Sequence, residues 1–321
     1  MTRSWILGGL GEPAFERLAA ELSGSELQSV LLELMQRRAG ARSPADVLAQ
    51  YRRDGLCRPS PIDLRASVAL DGHLLEAAGG FEAIELSPVA PLAACSSVGP
   101  TSQHRVLSAL RATEIVADPT NVLALECALR MRAAAAPVHL VTTQRVIRAQ
   151  PVPSLPGYSR HFRIFVLASG GIEARDHAFT AGTLERHVRT MLGALDRLER
   201  HGYAFGARRV DLLATPERAG LADRIAEALA GATSGSRGAA SQAAASQAAN
   251  VERKRLEHPY YSGGLRYQIW VTAPEGGQIP LIDGGTFDWL SRLTSNRRAV
   301  YVATGTGAQL IALRFRAAAG P

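Results

Sequence analysis

Apolar residues recur at helical spacing through the first part of the chain: Phe15, Leu18 and Leu22, then Leu27, Val30, Leu31, Leu34 and Met35. Gly40 and Arg42-Ser43-Pro44 interrupt the stripe. Ser43 and Pro44 supply an N-cap and first-turn pair for a helix ending near Arg53. Residues 1–60 therefore read as a helical N-terminal extension, and residues 61–321 as the main domain. In that domain 63–79 predicts a helix, and 81–86 alternates like a strand before Ser87-Pro88. Ile115-Val116 lead into Asp118-Pro119-Thr120 and an apolar helix over 121–132. Residues 138–147 and 162–168 predict an antiparallel strand pair, joined by a long loop with Pro151, Pro153, Pro156 and Gly157. The clearest helix spans 183–201, with Leu184, Val188, Met191, Leu192, Leu195 and Leu198 on one stripe. A short strand over 210–213 and a helix over 221–230 follow. Residues 231–250 are low in complexity, with a duplicated Ala-Ala-Ser-Gln-Ala; they read as a flexible loop, an Ala-rich helix being the open alternative. Beyond them, 265–271, 278–282, 300–304 and 310–315 predict strands, and 287–293 a short helix. The sum is an α+β fold, a largely antiparallel sheet with helices on one side.

Composition narrows the chemistry more than the fold. With 321 residues, 46% hydrophobic and 20% charged, the chain is ordinary globular material. No apolar run reaches the roughly 18 residues of a membrane span, so no membrane association is expected, and the start lacks a secretory pattern. Three dispersed cysteines offer neither a disulfide framework nor zinc spacing, which points to a reduced, cytoplasmic setting and no metal site. Lys254 is the single lysine among 36 basic residues, so the Gly-Lys-Ser/Thr of a phosphate-binding loop is absent and a pyridoxal Schiff base has one poor candidate. The net charge of +7 suits a phosphate or nucleic-acid partner, yet the arginines are scattered, as an arginine- and alanine-rich composition alone would leave them. There is no HExxH, GxSxG or strand-borne GxGxxG, and the eight histidines are dispersed.

Four local patterns remain, and their order is informative. Glu114-Ile-Val-Ala-Asp118-Pro-Thr120 brings a carboxylate and a hydroxyl to a helix start, which suits an ammonium group and equally suits a helix cap. Arg145-Val-Ile-Arg148-Ala-Gln150, the proline-rich loop and Ser159-Arg160-His161-Phe162-Arg163 place arginines on two strands that can converge on an anion. Pro259-Tyr260-Tyr261-Ser-Gly263-Gly264 comes third. Asp283-Gly284-Gly285-Thr-Phe287-Asp288 and Gly305-Thr-Gly307-Ala-Gln309-Leu310 come last.

Over roughly residues 60–315 this order resembles the catalytic domain of class II aminoacyl-tRNA synthetases. Within the class it is most similar to the histidyl enzyme and its paralogue, the regulatory subunit of ATP phosphoribosyltransferase. The resemblance implies a class II antiparallel sheet flanked by helices. It implies an amino-acid site of Asp118, Thr120, Tyr260, Tyr261, Gly263 and Gly285. It further implies a catalytic arginine, Arg148, holding carboxylate and α-phosphate, with Gln150, Arg160, Arg163 and Gly307 on the ATP side and Mg²⁺ as the accompanying ion. A homodimer is implied as well. Departures limit the activity: Gln150 replaces a glutamate, and Gln309-Leu310 stands where active synthetases carry Glu-Arg. Either adenylation is lost or Arg160, Arg163 or Arg266 substitutes. No anticodon-binding domain is evident, so charging of a full tRNA is not expected. The first expectation is an amino-acid-binding protein, histidine being one candidate, that activates its ligand with ATP for a non-tRNA acceptor. The second is a non-catalytic histidine sensor partnering a phosphoribosyltransferase. The third is a basic nucleic-acid-binding protein on a decayed scaffold.

Overall fold

The computed structural model describes residues 9, 11–134, 136–153, 155, 158–234 and 250–316. Three helices come first: α1 (Glu12–Glu16), α2 (Gly24–Gly40) and α3 (Pro44–Arg53). Both longer ones begin with a capping box, Ser23 with Glu26 and Ser43 with Asp46, so their starts are written locally. The main body opens with α4 (Leu64–Ala77), capped by Asp63. Next come β1 (Glu82–Ala83), β2 (Val89–Pro91), β3 (Ser108–Ala109), β4 (Thr113–Ile115) and α5 (Pro119–Ala133). The hairpin β5 (Val138–Ile147) and β6 (His161–Ile172) precedes α6 (Ala178–Glu199), β7 (Arg208–Ala214), α7 (Ala219–Ser234) and β8 (Asn250–Arg255). The chain closes through β9 (Leu265–Thr272), β10 (Gln278–Phe287), α8 (Trp289–Thr294), β11 (Ala299–Thr306) and α9 (Ala308–Arg314).

Eight strands form one sheet in the order β1-β5-β6-β11-β10-β9-β7-β8, antiparallel except for the parallel outer pairs β1–β5 and β7–β8. Strands β2, β4 and β3 make a small separate sheet. Helices cover both faces of the large sheet, not one as the sequence suggested. Adjacent glycines show why: a Cβ on Gly170 would meet Cys127 and Met131 of α5 and Leu290 of α8, whereas one on Gly171 would meet Phe179 of α6. Strand alternation therefore sends Leu140, Val166, Ala168, Tyr301 and Ala303 toward α5 and α8. It sends Val141, Phe165, Leu167 and Val302 toward α4, α6 and α7. The stripe Leu184, Val188, Met191, Leu195 and Leu198 is buried in the second core, as its spacing predicts.

Other differences have local causes. Only Glu82 and Ala83 of the expected strand 81–86 pair with β5. The expected strand 310–315 is helix α9: Ala308, Ile311 and Phe315 are buried at helical spacing, and a six-residue apolar run fits either period. Strand β8 carries the polar sequence Asn-Val-Glu-Arg-Lys-Arg and gave no periodic signal. Of the low-complexity stretch, residues 231–234 continue α7 and Asn250 opens β8; 235–249 lie outside the described residues.

Candidate functional site

A cavity of about 790 Å³ lies over the α5/α8 face of the sheet. Its floor is set by strand alternation and register. Phe162 and Ile164 of β6, Ala303 and Gly305 of β11, Asp283 of β10 and Arg266 of β9 all point the same way. Its walls are the start of α5, the open end of the β5–β6 hairpin and residues 258–261.

Asp118 is the N-cap of α5, with Pro119 in the first helical turn. Its Oδ1 accepts from the Thr120 amide at 3.0 Å and the Thr120 hydroxyl at 2.7 Å, while Oδ2 accepts from the Tyr260 hydroxyl at 3.2 Å. One oxygen thus orders the helix start, and the other faces Tyr260 in the cavity wall. Burial, reinforced by the Asp118 charge, pushes the Tyr260 phenol well above its ordinary value, so Tyr260 stays protonated and donates. The helix start is itself pinned to the floor strand, because the Tyr301 hydroxyl donates to the Thr120 carbonyl at 2.6 Å.

Arg148 lies just beyond β5. Its Nε donates to the Ala117 carbonyl at 3.0 Å, and its guanidinium lies 5.2 Å from the Phe162 ring centroid. Its terminal nitrogens have no protein partner among the described residues. The pair Arg266–Asp283 is bidentate at 2.9 and 2.6 Å, and the guanidinium stacks 4.8 Å from the Tyr261 ring. Arg266 is thereby committed to Asp283 on the cavity floor.

Tyr261 can reach that floor because Gly285 has no side chain. A Cβ there would sit 2.5 Å from Tyr261 Cδ1 and 2.4 Å from the Leu265 carbonyl. Gly263, whose amide donates to the Thr286 carbonyl at 3.0 Å, allows an equally close approach, since its Cβ would meet Thr286 Oγ1 at 2.4 Å. Gly285→Ala is therefore expected to expel Tyr261 from its packing with Phe287, at a cost of roughly 1–3 kcal/mol of overpacking. Urea denaturation of variant and parent, together with ligand affinity, checks this; unchanged stability would mean the loop above relaxes freely.

Of the sequence-predicted site residues, Asp118, Thr120, Arg148, Gln150, Tyr260, Tyr261 and Gly307 line this one cavity. Gly263 and Gly285 lie beneath the tyrosines and shape the wall without lining it. Arg160 is exposed outside the cavity, contributing its carbonyl to the Arg148 amide at 2.8 Å. Arg163 lies on the opposite face, donating to Thr143 Oγ1 at 3.1 Å and ion-paired with Asp71. Its position in β6 dictates this, since Phe162 faces the cavity and its immediate neighbour cannot. Glu114 is fully buried away from the cavity, accepting from the Ala93 and Cys95 amides and from Gln103 Nε2, each at 2.9 Å. It organises the loop 93–103 instead of meeting a ligand. Leu310 lines the cavity, and Gln309 is buried between Ser60, which donates at 2.7 Å, and Ser159, which accepts at 2.9 Å. Sequence reasoning missed Arg105, Thr101 and His258, all in the walls, because they sit in loops without periodic signal. Arg105 is exposed and has no carboxylate partner among the described residues; its carbonyl accepts from the Ala149 amide at 2.9 Å, beside Arg148. Among the described residues no group of three or more His, Cys, Asp or Glu side chains is arranged to hold a metal ion, and no helix is long and apolar enough to cross a membrane.

This fold, a mostly antiparallel sheet carrying its cavity on the face shared with α5, is that of class II aminoacyl-tRNA synthetase catalytic domains. The chain is similar to an ATP phosphoribosyltransferase regulatory subunit/histidyl-tRNA synthetase from Bacillus halodurans, with a TM-score of 0.55 and 15% identity over 80% of this chain and 81% of that one. It is similar to a histidine–tRNA ligase subunit from Alicyclobacillus acidocaldarius, with a TM-score of 0.54 and 14% identity over 81% of this chain and 96% of the other. Against the apo histidyl-tRNA synthetase of S. aureus the TM-score is 0.54 and the identity 11%, over 81% of this chain and 68% of that chain. At the level of sequence, no protein-family model matches the chain and no curated protein matches it.

Proposed function

We propose that this protein binds a free amino acid in the cavity between Asp118 and Arg148. The observation that carries the reading is a carboxylate and a guanidinium, each held by fixed hydrogen bonds, in the walls of one cavity. Asp118, with Tyr260 and Thr120 beside it, suits an ammonium group; Arg148, with its terminal nitrogens open, suits a carboxylate. Tyr261, His258 and the Arg266–Asp283 pair surround the space left for a side chain. The names of the structural neighbours make histidine the first ligand to try.

Whether the ligand is only sensed or also activated turns on the phosphate side. Leucine at position 310 makes that wall apolar, and Arg160, Arg163 and Arg266 are respectively outside, behind and committed to Asp283. These placements favour a sensor, which by analogy with the regulatory-subunit neighbour would act on a protein partner such as a phosphoribosyltransferase. Arg105 supports the second reading, formation of an aminoacyl-adenylate for a non-tRNA acceptor. It lines the cavity without a carboxylate partner among the described residues, next to Arg148 and Gln150, where a triphosphate with Mg²⁺ would lie.

A thermal-shift series over the twenty amino acids, with and without ATP and Mg²⁺, separates these readings. A ligand bound only by the folded state at about a hundred times its Kd adds roughly 2.7 kcal/mol to stability. One amino acid raising the midpoint, with no further rise on adding ATP, is the expected result for the sensor. A larger joint rise followed by amino-acid-dependent pyrophosphate exchange assigns the activating enzyme. No rise with any amino acid overturns the proposal, and a midpoint raised instead by tRNA or DNA, lost steeply with salt, would assign nucleic-acid binding.

A further inference from the structure

Between α3 and Asp63, the cap of α4, run residues 54–62, none of them buried. The segment is folded on itself at its start. The Leu56 amide donates to Asp54 Oδ1 at 3.0 Å, and the Cys57 and Arg58 amides donate to the Asp54 carbonyl at 3.0 and 3.2 Å. With so little surface covered, its hold on the body rests largely on polar contacts, and a segment held in this way opens at low cost. Those contacts converge on one place. The Arg58 carbonyl accepts from His161 Nε2 at 2.7 Å. Arg145 Nη1 donates to the other ring nitrogen, Nδ1, at 3.0 Å, so the ring proton stands on Nε2, where Arg58 receives it. The Ser60 hydroxyl donates to Gln309 Oε1 at 2.7 Å, Gln309 Nε2 donates to Ser159 Oγ at 2.9 Å, and the Ser159 hydroxyl donates to the His161 carbonyl.

The relay runs in one direction throughout, and the amide at position 309 serves both of its ends. A carboxylate there would set acceptor against acceptor at Ser159 unless that hydroxyl left His161. Gln309 is only 1% exposed, so an unmade bond on either side of it would be costly. The residues that receive the segment also belong to the edge of the cavity. Ser159 lines it, as does Leu310 beside Gln309. The Arg160 carbonyl accepts from the Arg148 amide at 2.8 Å, which ties the same stretch to the arginine facing the ligand. Whatever orders Arg148 therefore orders the platform on which residues 54–62 dock.

We propose that residues 54–62 are a strap whose docking, through Ser60 and Gln309, and the binding of ligand at Arg148 strengthen one another, with Gln309 as the positioning residue between them. The ligand arm of this inference rests on the amino-acid reading given above, whereas the link from strap to cavity edge rests on the contacts just described. Coupling of this kind is reciprocal: the factor by which ligand favours the docked strap is the factor by which the docked strap favours ligand. By this route the state of the cavity reaches the segment that carries α1 to α3.

The test uses the full chain, with L-histidine as the probe. Without it, Ser60→Ala is expected to speed hydrogen exchange in a peptide over 146–150 by roughly 2- to 10-fold, the scale of one lost hydrogen bond. A peptide over 166–172, in the body of β6, is expected to exchange as in the parent. Ser60→Thr keeps the hydroxyl and suits the extended backbone that precedes Pro61, so it is expected to restore the parent rate. Ser60 is not buried, and thermal unfolding of both variants should match the parent, which separates a released strap from a damaged fold. With L-histidine bound, the amides of 54–62 are expected to slow in the parent. Calorimetry is expected to show Ser60→Ala weakening L-histidine by a similar factor, with Ser60→Thr binding as the parent does. Exchange over 146–150 indifferent to Ser60→Ala, an affinity that Ser60→Ala leaves unchanged, or a strap that exchanges faster on binding would each overturn the coupling. L-histidine binding to neither parent nor variant would count against the choice of amino acid, and exchange over 146–150 in the unliganded proteins would then decide the link on its own.

Discussion

Asp118→Asn is expected to lower amino-acid affinity by roughly 10- to 100-fold, the scale of one hydrogen bond to a charged group. The choice of asparagine matters. Asp118 accepts from the Thr120 amide and hydroxyl and thereby starts α5, and Asn is as good an N-cap as Asp. The variant therefore keeps the helix start, the Tyr260 contact through its amide oxygen or nitrogen, and the cavity shape, and loses only the charge. Asp118→Ala would also remove the cap, at about 1 kcal/mol of stability, and would confuse a binding defect with a frayed helix. Titration calorimetry with the amino acid that raises the thermal midpoint measures the first effect, and urea denaturation checks that the second is absent. Equal affinity in parent and Asn variant would remove Asp118 from the site and with it the ammonium half of the proposal.

The sequence points to this half of the candidate site because the residues proposed for it are also structural punctuation. Asp118-Pro119-Thr120 announces a helix start, and Tyr260-Tyr261-Ser-Gly263 announces a turn with aromatic cargo; the fold then brings the two together at 3.2 Å. The β5–β6 hairpin was legible because both segments are strand-length runs rich in β-branched and aromatic residues, parted by a proline-rich loop, and Arg148 follows from its position just past the strand end. Side of the sheet was not legible. Arg163 sits one residue from Phe162, and nothing in the composition of that segment says which of the two faces the cavity, because both faces of the sheet are covered by helices and both are partly apolar. Arg105 escaped for a different reason. It belongs to a short turn started by the Ser102 hydroxyl, within a loop held by the buried Glu114 carboxylate, and only the folded chain reveals that this loop borders the cavity. Leu310 was read as a lost arginine on a strand; it is a leucine on a helix, and in both readings that wall carries no charge.

Acidification is expected to unfold this protein earlier than its carboxylates alone would require, and His187 is the reason. Its imidazole is fully buried in α6, with Nε2 2.8 Å from Ser169 Oγ and Nδ1 2.9 Å from Thr304 Oγ1. The chain of contacts continues from Ser169 to His139 Nδ1 at 2.8 Å and from Thr304 to the Tyr267 hydroxyl at 2.7 Å. Phe81 lies edge-on to the ring at 5.3 Å. Among the described residues no carboxylate contacts the imidazole; the charged neighbours are His139 and Arg186, both unfavourable to a cation. Burial, with these two groups adding to it, lowers the pKa to about 3. The unfolded chain, titrating near an ordinary histidine value of about 6.5, therefore binds a proton that the folded chain refuses. Stability is complete above about 6.5 and falls steadily below it, and by about pH 5 the loss from this one group reaches about 2 kcal/mol. His139 and His73, both lowered by burial, act in the same direction, while Asp71, raised by burial, opposes them weakly at lower pH. The check is urea denaturation at about pH 7.5 and about pH 5 for the parent and for His187→Gln. The glutamine variant keeps a neutral polar group between Ser169 and Thr304. It is expected to be less stable at neutral pH, where its packing is worse, but to lose much less on acidification. A pH slope identical in both proteins would mean that His187 does not carry the acid sensitivity. Because Thr304 stands between Ala303 and Gly305 of the cavity floor, with its own hydroxyl on the opposite face, the same titration repeated with saturating ligand reads whether the buried chain and the site report on each other. A bound amino acid that steepens the slope would show that the neutral imidazole is part of the ligand-competent state.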